Sequence, residues 1–346
     1  MAEPLLEVKD LKVHFHTDDG VVKAVDGVSY AIAPGETLGI VGESGSGKSV
    51  SSLTVMGLTD SPQAEISGEV IFQGQDLLKL PPEEMRTIRG DKISMIFQDP
   101  MTSLHPFYKV GDQIAEAILQ HQNVSKKEAF QGAVDMLAKV NIPRPDERAK
   151  QFPHEFSGGM RQRLMIALTL VLRPAFVVAD EPTTALDVLV EAQIIRMLHD
   201  LRDTYETSLL LITHNLGIIA EACDRVAVMY AGRIVEIGDA RTVFRSPQHP
   251  YTRELLRSTI SLSTTGLNYI EGAPPDLSDP PPGCRFHPRC PDAMQVCERR
   301  EPQPRALPNG SRTECWAADL AHGLVSLTED ERIPLAKEVI ALADEA

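Results

Sequence analysis

Gly42-Glu43-Ser44-Gly45-Ser46-Gly47-Lys48-Ser49 decides how this chain is read. An apolar run, Thr37 to Val41, precedes it as a short buried strand, and Val50 to Gly57 follow as a helix. Strand, G-x-x-x-x-G-K-S loop and helix in that order form a phosphate-cradling loop. Glycines let the loop curl so that successive backbone N–H groups point at phosphate oxygens. The helix start adds free N–H groups and the positive end of its dipole. Lys48 supplies a point charge for the outer phosphates and Ser49 a hydroxyl for Mg²⁺. Charge-assisted hydrogen bonds contribute roughly 1.5–3 kcal/mol each, so a few of them hold a polyphosphate.

Working outward, Leu6 to Val13 alternates as a strand, and Val21 to Ile32 reads as a second strand pair behind the turn Asp18-Asp19-Gly20. Phe15 beside that turn is placed either to stack on a nucleobase or to fill the core; spacing does not choose. Downstream, Gly68 to Gly74 and Lys92 to Phe97 read as strands, the latter ending at Gln98-Asp99-Pro100. Gln98 thus stands at a strand terminus, where its amide can reach a metal or a water. Val110, Ile114, Ala117 and Ile118 then take helical spacing, and Ser125-Lys126-Lys127-Glu128 is a capping box opening another helix. This is a helical insertion between core strands.

A second glycine cluster, Ser157-Gly158-Gly159, leads into the apolar run Leu164 to Leu172. Ser157 is expected to cap that helix, whose N-terminus is a second anion site. Phe176 to Glu181 is an apolar strand ending in two carboxylates. Asp180 suits Mg²⁺ coordination, and Glu181 suits polarising an attacking water as general base. Asp187 follows on a turn. Leu209 to Thr213 is one more buried strand, with His214 at its end, placed for a γ-phosphate.

Composition narrows the partners. Of 346 residues, 34 are Lys or Arg and 49 are Asp or Glu, a formal net charge of -15. That argues against nucleic acid, whose binding rests on phosphate neutralisation. The longest apolar run, Leu164 to Leu172, is too short to span a bilayer. No basic-then-apolar signal pattern follows Met1, so the expected compartment is the cytosol, with docking on a membrane protein left open. Five cysteines without such a signal read as reduced thiols or metal ligands rather than disulfides.

Together, Gly42 to Ser49, Gln98, Ser157 to Gln162, Asp180 with Glu181, Asp187 and His214 resemble the Walker A, Q-loop, signature, Walker B, D-loop and H-loop of ATP-binding cassette transporter ATPases, over roughly residues 5–250. The signature departs from the common Leu-Ser-Gly-Gly-Gln at Phe156 and Met160, with the Ser-Gly-Gly centre intact. The resemblance implies an α/β fold: a P-loop NTPase core with an antiparallel β subdomain and a helical subdomain at about 104–165. It implies ATP contacts from Phe15, Ser44, Gly45, Ser46, Gly47, Lys48, Ser49, Val50 and Gln98, with Mg²⁺ on Ser49, Gln98 and Asp180. Glu181 and His214 would be catalytic. Ser157, Gly158 and Gly159 would face the nucleotide of a second cassette, with Asp187 in the D-loop between them.

The C-terminal part is expected to be an appendage on a stiff Pro-rich linker, Ala273 to Gly283. Cys284, Cys290, Cys297 and Cys315 follow with five, six and seventeen residues between them. Four clustered thiols point to one tetrathiolate site; zinc and a [4Fe–4S] cluster both accept that set, and the absence of close C-x₂₋₄-C pairs favours the cluster. His287 is an alternative ligand, and Cys223 reads as a separate buried thiol. This segment resembles the C-terminal region of di- and oligopeptide importer ATPases, a group that includes nickel importers, in Gln248-His249-Pro250-Tyr251-Thr252, the Pro-rich stretch and Cys284-x-Phe286-x-x-x-Cys290. The resemblance implies two membrane permease subunits, a paralogous ATPase subunit and an extracytoplasmic peptide-binding protein as partners. A soluble cassette acting on ribosomes or DNA is the alternative that a single cassette and the acidic balance disfavour. The divisions expected are 1–245, 246–320 and an acidic tail, 321–346, with a helix over Ile333 to Leu342.

Overall fold

The computed structural model describes residues 3–59, 61–183, 187–258 and 269–335. Thr37–Val41, buried at every position, is an inner strand of an eight-stranded sheet. Ser208–Ile212 and Arg225–Tyr230 flank it in parallel, Phe176–Asp180 lies beyond Ser208–Ile212, and Ile93–Ile96 forms that edge, also parallel. Continuous apolar strands of this kind suit a parallel sheet covered on both faces. Parallel strands end at one edge of the sheet. The loop after Val41, Gln98 after Ile96, Glu181 after Asp180 and His214 after Ile212 therefore gather there, outside the carboxyl ends where such sheets bind ligands.

A second, antiparallel sheet places Leu6–Thr17 between Gly20–Ile32 and Ala64–Phe72, with Gln75–Asp76 outermost. Gly20–Ile32 is one strand rather than the expected pair. Gly27, at φ 89, is an extra residue between the pairings Leu11↔Val28 and Lys12↔Asp26, so a bulge bends the ladder without breaking it. The helical insertion is present: Val110–His121 packs on Lys126–Lys139, burying Ile114, Ile118, Ala129, Ala133 and Leu137. Both bonds of the Ser125/Glu128 capping box form, at 3.2 and 2.8 Å. The helix Gly158–Leu170 begins at Ser157, but the Ser157 hydroxyl makes no capping bond, contrary to expectation. Its carbonyl closes the first turn by accepting from Arg161 N–H at 2.9 Å.

The C-terminal segment is no appendage on a spacer. Arg312–Thr313 pairs with Arg233–Asp239 through Glu236↔Thr313, and Arg305–Ala306 pairs outside it, so the segment supplies the last two strands of the core sheet. The physical reason is the edge: Arg233–Asp239 would otherwise expose unpaired backbone groups. The Pro-rich stretch also lies on the core, where Leu277 carbonyl accepts from Lys23 N–H at 2.9 Å. Tyr230, Tyr251 and Phe286 pack ring to ring, with centroids 4.6 to 5.3 Å apart, and close the junction. Among the described residues no helix is long and apolar enough to cross a membrane. Most of the expected tail helix, from residue 336 on, lies outside the described residues.

His249 anchors this junction. It is 1 % exposed, its Nδ1 accepts from Tyr251 N–H at 3.0 Å, and its own N–H donates to Glu236. Burial first, then Arg253, pushes its pKa down to about 3. The unfolded chain takes up a proton below about pH 6.5 that the folded chain refuses, so stability falls as pH drops through that range. At pH 5 the loss from this group is expected to be about 2 kcal/mol. Denaturant unfolding of the chain and of His249→Asn at pH 8 and pH 5 checks it; a difference between the two proteins that does not change with pH contradicts it.

Candidate active site

The loop Gly42 to Ser49 is shaped by close approach. Gly47, at φ 99, starts the helix Lys48–Val55, and a Cβ there would stand 2.2 Å from Ala24 O. One at Gly42 would stand 2.0 Å from Met229 O. Only glycine fits either place. Lys48 is 8 % exposed. Its Nζ donates to the carbonyls of Gly42 at 2.9 Å and Glu43 at 2.8 Å. Burial lowers its pKa, while Glu181, Asp180 and Glu43 oppose that by favouring the charged form.

At the end of the loop, Ser49 Oγ donates to Asp180 Oδ1 at 3.2 Å. Burial raises the Asp180 pKa and Glu181 adds to this, whereas the Ser49 bond and Lys48 pull it back. A buried carboxylate held by a hydroxyl beside an ammonium is a hard oxygen donor set that fits Mg²⁺. Gln98 Nε2 donates to Glu181 Oε2 at 2.9 Å, and His214 Nδ1 lies 3.7 Å from Glu181 Oε1. Glu181 itself sits at φ 46, in the left-handed region, with its N–H on Ile212 O at 2.8 Å. Such backbone strain is of order 1–3 kcal/mol for a non-glycine residue and concentrates at functional sites.

The other expected residues fall as follows. Phe15 is half-buried in Leu6–Thr17, opposite Val22 and Ala64, and packs against the core beneath that sheet, as does Val50. Ser157 and Gly158 are exposed, with nothing within 4 Å of a Gly158 Cβ. Asp187 is exposed at the start of Val188–Tyr205 and makes no capping bond. The sequence reading passed over Glu191, which accepts from Thr183 Oγ1 at 2.7 Å and Asn215 Nδ2 at 3.1 Å and so ties the turn after Glu181 to the turn after His214. It quoted Glu43 and Tyr251 only within their motifs, without a role of their own, and did not single out Arg289.

The four C-terminal thiols draw toward one place. Cys284 N–H donates to Cys297 O at 2.7 Å. Cys284, Cys290 and Cys315 accept backbone N–H groups from Phe286, Asp292 and Ala317 with Ala318. Cys297 Sγ accepts from Met294 N–H at 3.5 Å. Burial raises all four, Cys290 and Cys315 to about 12, and Cys290, Cys297 and Cys315 each oppose ionisation of Cys284. The expected ligand set is nevertheless not closed: among the described residues no three His, Cys, Asp or Glu side chains are placed to hold a metal ion. Neutral thiols pack as small apolar groups and lack the attraction to an ion that draws thiolates together. His287 Nδ1 instead meets the Cys284 carbonyl at 2.9 Å. Cys223 is half-buried against the main core, its thiol pushed up by burial.

A buried lysine under a glycine loop, two strand-terminal carboxylates and an amide on the second of them define a nucleotide-hydrolysing cassette. Residues 25–184 match the ABC transporter family, and residues 235–297 match the oligopeptide/dipeptide transporter C-terminal region. The chain is 50% identical over 320 residues to the dipeptide transport ATP-binding protein DppD of Bacillus subtilis, covering 92% of this chain and 96% of that one. It is 50% identical over 303 residues to the oligopeptide transport ATP-binding protein OppD of Salmonella typhimurium, covering 87% and 90%. Among solved structures, a dimeric ATP-binding cassette in a post-hydrolysis state with ADP and Pi aligns with TM-score 0.61 and 26% identity, covering 68% of this chain and 99% of that one. The chain belongs to the family of dipeptide and oligopeptide ABC transporter ATP-binding proteins.

Because a methyl at Gly47 meets Ala24 O and an unfavourable φ at once, Gly47→Ala is expected to weaken Mg–ATP binding by at least about tenfold. Equilibrium titration with a fluorescent ATP analogue, beside a thermal melt, measures it; unchanged affinity contradicts the loop geometry.

Proposed function

We propose that the chain hydrolyses ATP to energise import of di- or oligopeptides, seated peripherally on the cytoplasmic face of a membrane. One observation carries the reading: an assembled ATPase site stands in the same chain as a segment, 235–297, matched to peptide transporters. The nucleotide-binding unit is residues 1–245, and the extension is 246–320.

Backbone N–H groups from Ser44 to Val50, with Lys48, bind the phosphates of ATP, and Phe15 stacks on the base. Ser49, Asp180 and Gln98 hold Mg²⁺, which neutralises charge on the phosphates when bound. Glu181 accepts a proton from water as the water oxygen bonds to the γ-phosphorus and the bond to the ADP oxygen breaks, giving ADP and phosphate. His214 holds the γ-phosphate oxygens. Gln98 donates to Glu181 in the present arrangement, so binding of nucleotide and release of Gln98 set the base free.

Two permease subunits complete the membrane part of the complex, and Gln98 faces the groove that receives the membrane subunit; Phe107 and Tyr108, 82% and 59% exposed, are apolar surface available to it. A paralogous ATPase subunit brings its own loop to Ser157, Gly158 and Gly159, with Asp187 at the interface; the open space at Gly158 supports this. An extracytoplasmic peptide-binding protein completes the complex. Cys284, Cys290, Cys297 and Cys315 hold a [4Fe–4S] cluster, with Zn²⁺ as the alternative; the four-thiol donor set and the N–H···S bonds support it.

Glu181→Gln is expected to reduce ATP turnover by at least about a hundredfold while ATP stays bound. Steady-state phosphate release beside nucleotide binding measures it, and retained turnover sinks the base assignment. Anaerobically purified protein is expected to carry about four iron and four sulfide per chain. One zinc in their place keeps the ligands and removes the cluster; neither metal contradicts the centre.

A further inference from the structure

We propose that Arg289, from the C-terminal extension, is a positioning residue for ATP turnover that acts through Glu43 of the phosphate loop. The inference rests on the ATPase reading and is independent of what the cysteines bind.

Arg289 is 9% exposed and uses all of its N–H donors. Nη1 donates to Glu43 Oε2 at 2.7 Å and to Tyr230 OH at 3.3 Å; Nη2 donates to Glu43 Oε1 at 3.0 Å and to Ile270 O at 3.3 Å; Nε donates to Glu271 O at 3.0 Å. The pair with Glu43 is therefore bidentate, the arrangement with the most directional hold on a carboxylate. The guanidinium also lies 5.7 Å from the Tyr230 ring centroid.

Glu43 is held from three sides. Its carboxylate is on Arg289, its N–H donates to Tyr251 OH at 3.0 Å, and its carbonyl accepts from Lys48 Nζ at 2.8 Å. The last contact joins the extension to the nucleotide: where the Glu43 peptide lies decides where the Lys48 amine stands. Pro274, Pro275 and Leu277 line the outer side of Glu43 to Ser46, so the loop is backed by a wall that the ATPase core does not itself provide.

Charge gives the arrangement its second consequence. Glu43 brings a carboxylate to a loop that must receive a polyanion. Arg289 neutralises it at contact distance from a side chain that is itself 5% exposed, while Glu43 is 25% exposed, so the pair is screened less than one on the open surface. Without Arg289, the carboxylate is left unpaired, repels the phosphates, and is free to draw Lys48 away from them. The extension thus takes part in the nucleotide site through one residue, 246 positions from its partner.

The test compares wild type, Arg289→Gln, Arg289→Lys and the double variant Arg289→Gln with Glu43→Gln, each purified as the full chain with its partner subunits. Arg289→Gln is expected to raise the KM for Mg–ATP about tenfold with kcat changed much less, because the unpaired charge acts on binding. Arg289→Lys is expected to recover part of that loss by keeping the charge without the fork. The double variant, which removes the orphaned charge, is expected to return KM to within about threefold of wild type. A residue that only braces the fold would lower the thermal midpoint of the variant and leave the KM of the folded protein unchanged. An Arg289→Gln KM equal to wild type, or a double variant no better than the single, overturns the inference. If Arg289→Gln does not fold, a double variant that folds and binds ATP supports it, and one that fails as well overturns it. A wild type that does not hydrolyse ATP refutes the ATPase reading instead.

Discussion

Lys48 carries an ammonium into a place that is 8% exposed, where an unpartnered charge is strongly unfavourable. Its present partners are two backbone carbonyls and the Ser46 hydroxyl of its own loop, and three carboxylates nearby favour its charged form. The rest of the site follows from this constraint. The loop must curl tightly enough to turn those carbonyls inward, which leaves no room for side chains at Gly42 and Gly47. Asp180 and Glu181 come from Phe176–Asp180, one strand removed from Thr37–Val41 across Ser208–Ile212, and they reach the loop because these parallel strands end at the same edge of the sheet. A negative phosphate entering such a pocket meets a cation already desolvated, so its attraction is stronger than in water.

The same sheet explains the extension. Its open edge, Arg233–Asp239, accepts Arg312–Thr313, and the aromatic junction of Tyr230, Tyr251 and Phe286 fills the space between. Tyr230 also meets Arg289, and Tyr251 meets the Glu43 N–H. One packing layer thus serves both the C-terminal segment and the phosphate loop. The segment is part of the folded core and of the wall behind the nucleotide.

Much of the site was legible in the sequence because its signals are local. The glycine loop, the strand-terminal pair Asp180-Glu181, Gln98 and His214 each sit at the end of an apolar run, and parallel pairing brings such ends together. The capping box at Ser125 was legible for the same reason. What failed was non-local or depended on side-chain direction. Nothing in sequence joins Arg289 to Glu43 across 246 positions. Proline content says that residues 273–283 are stiff, but not that they lie on the core. Ser157 has a capping residue's identity without making the bond, since its hydroxyl is left open to solvent. Four cysteines give a donor set, while their distances depend on packing that spacing alone does not specify.

The central claim is that the buried Lys48 amine is what makes this loop bind the phosphates of ATP. Calorimetric titration of Mg–ATP into the chain, and into Lys48→Met, tests it most directly. The account expects saturable binding by the native chain and loss of affinity by at least about thirtyfold in the variant, since hydrogen bonds to charged groups contribute about 1.5–3 kcal/mol each and Lys48 makes more than one. Equal affinity in the two proteins, with both folded by thermal melt, would contradict it.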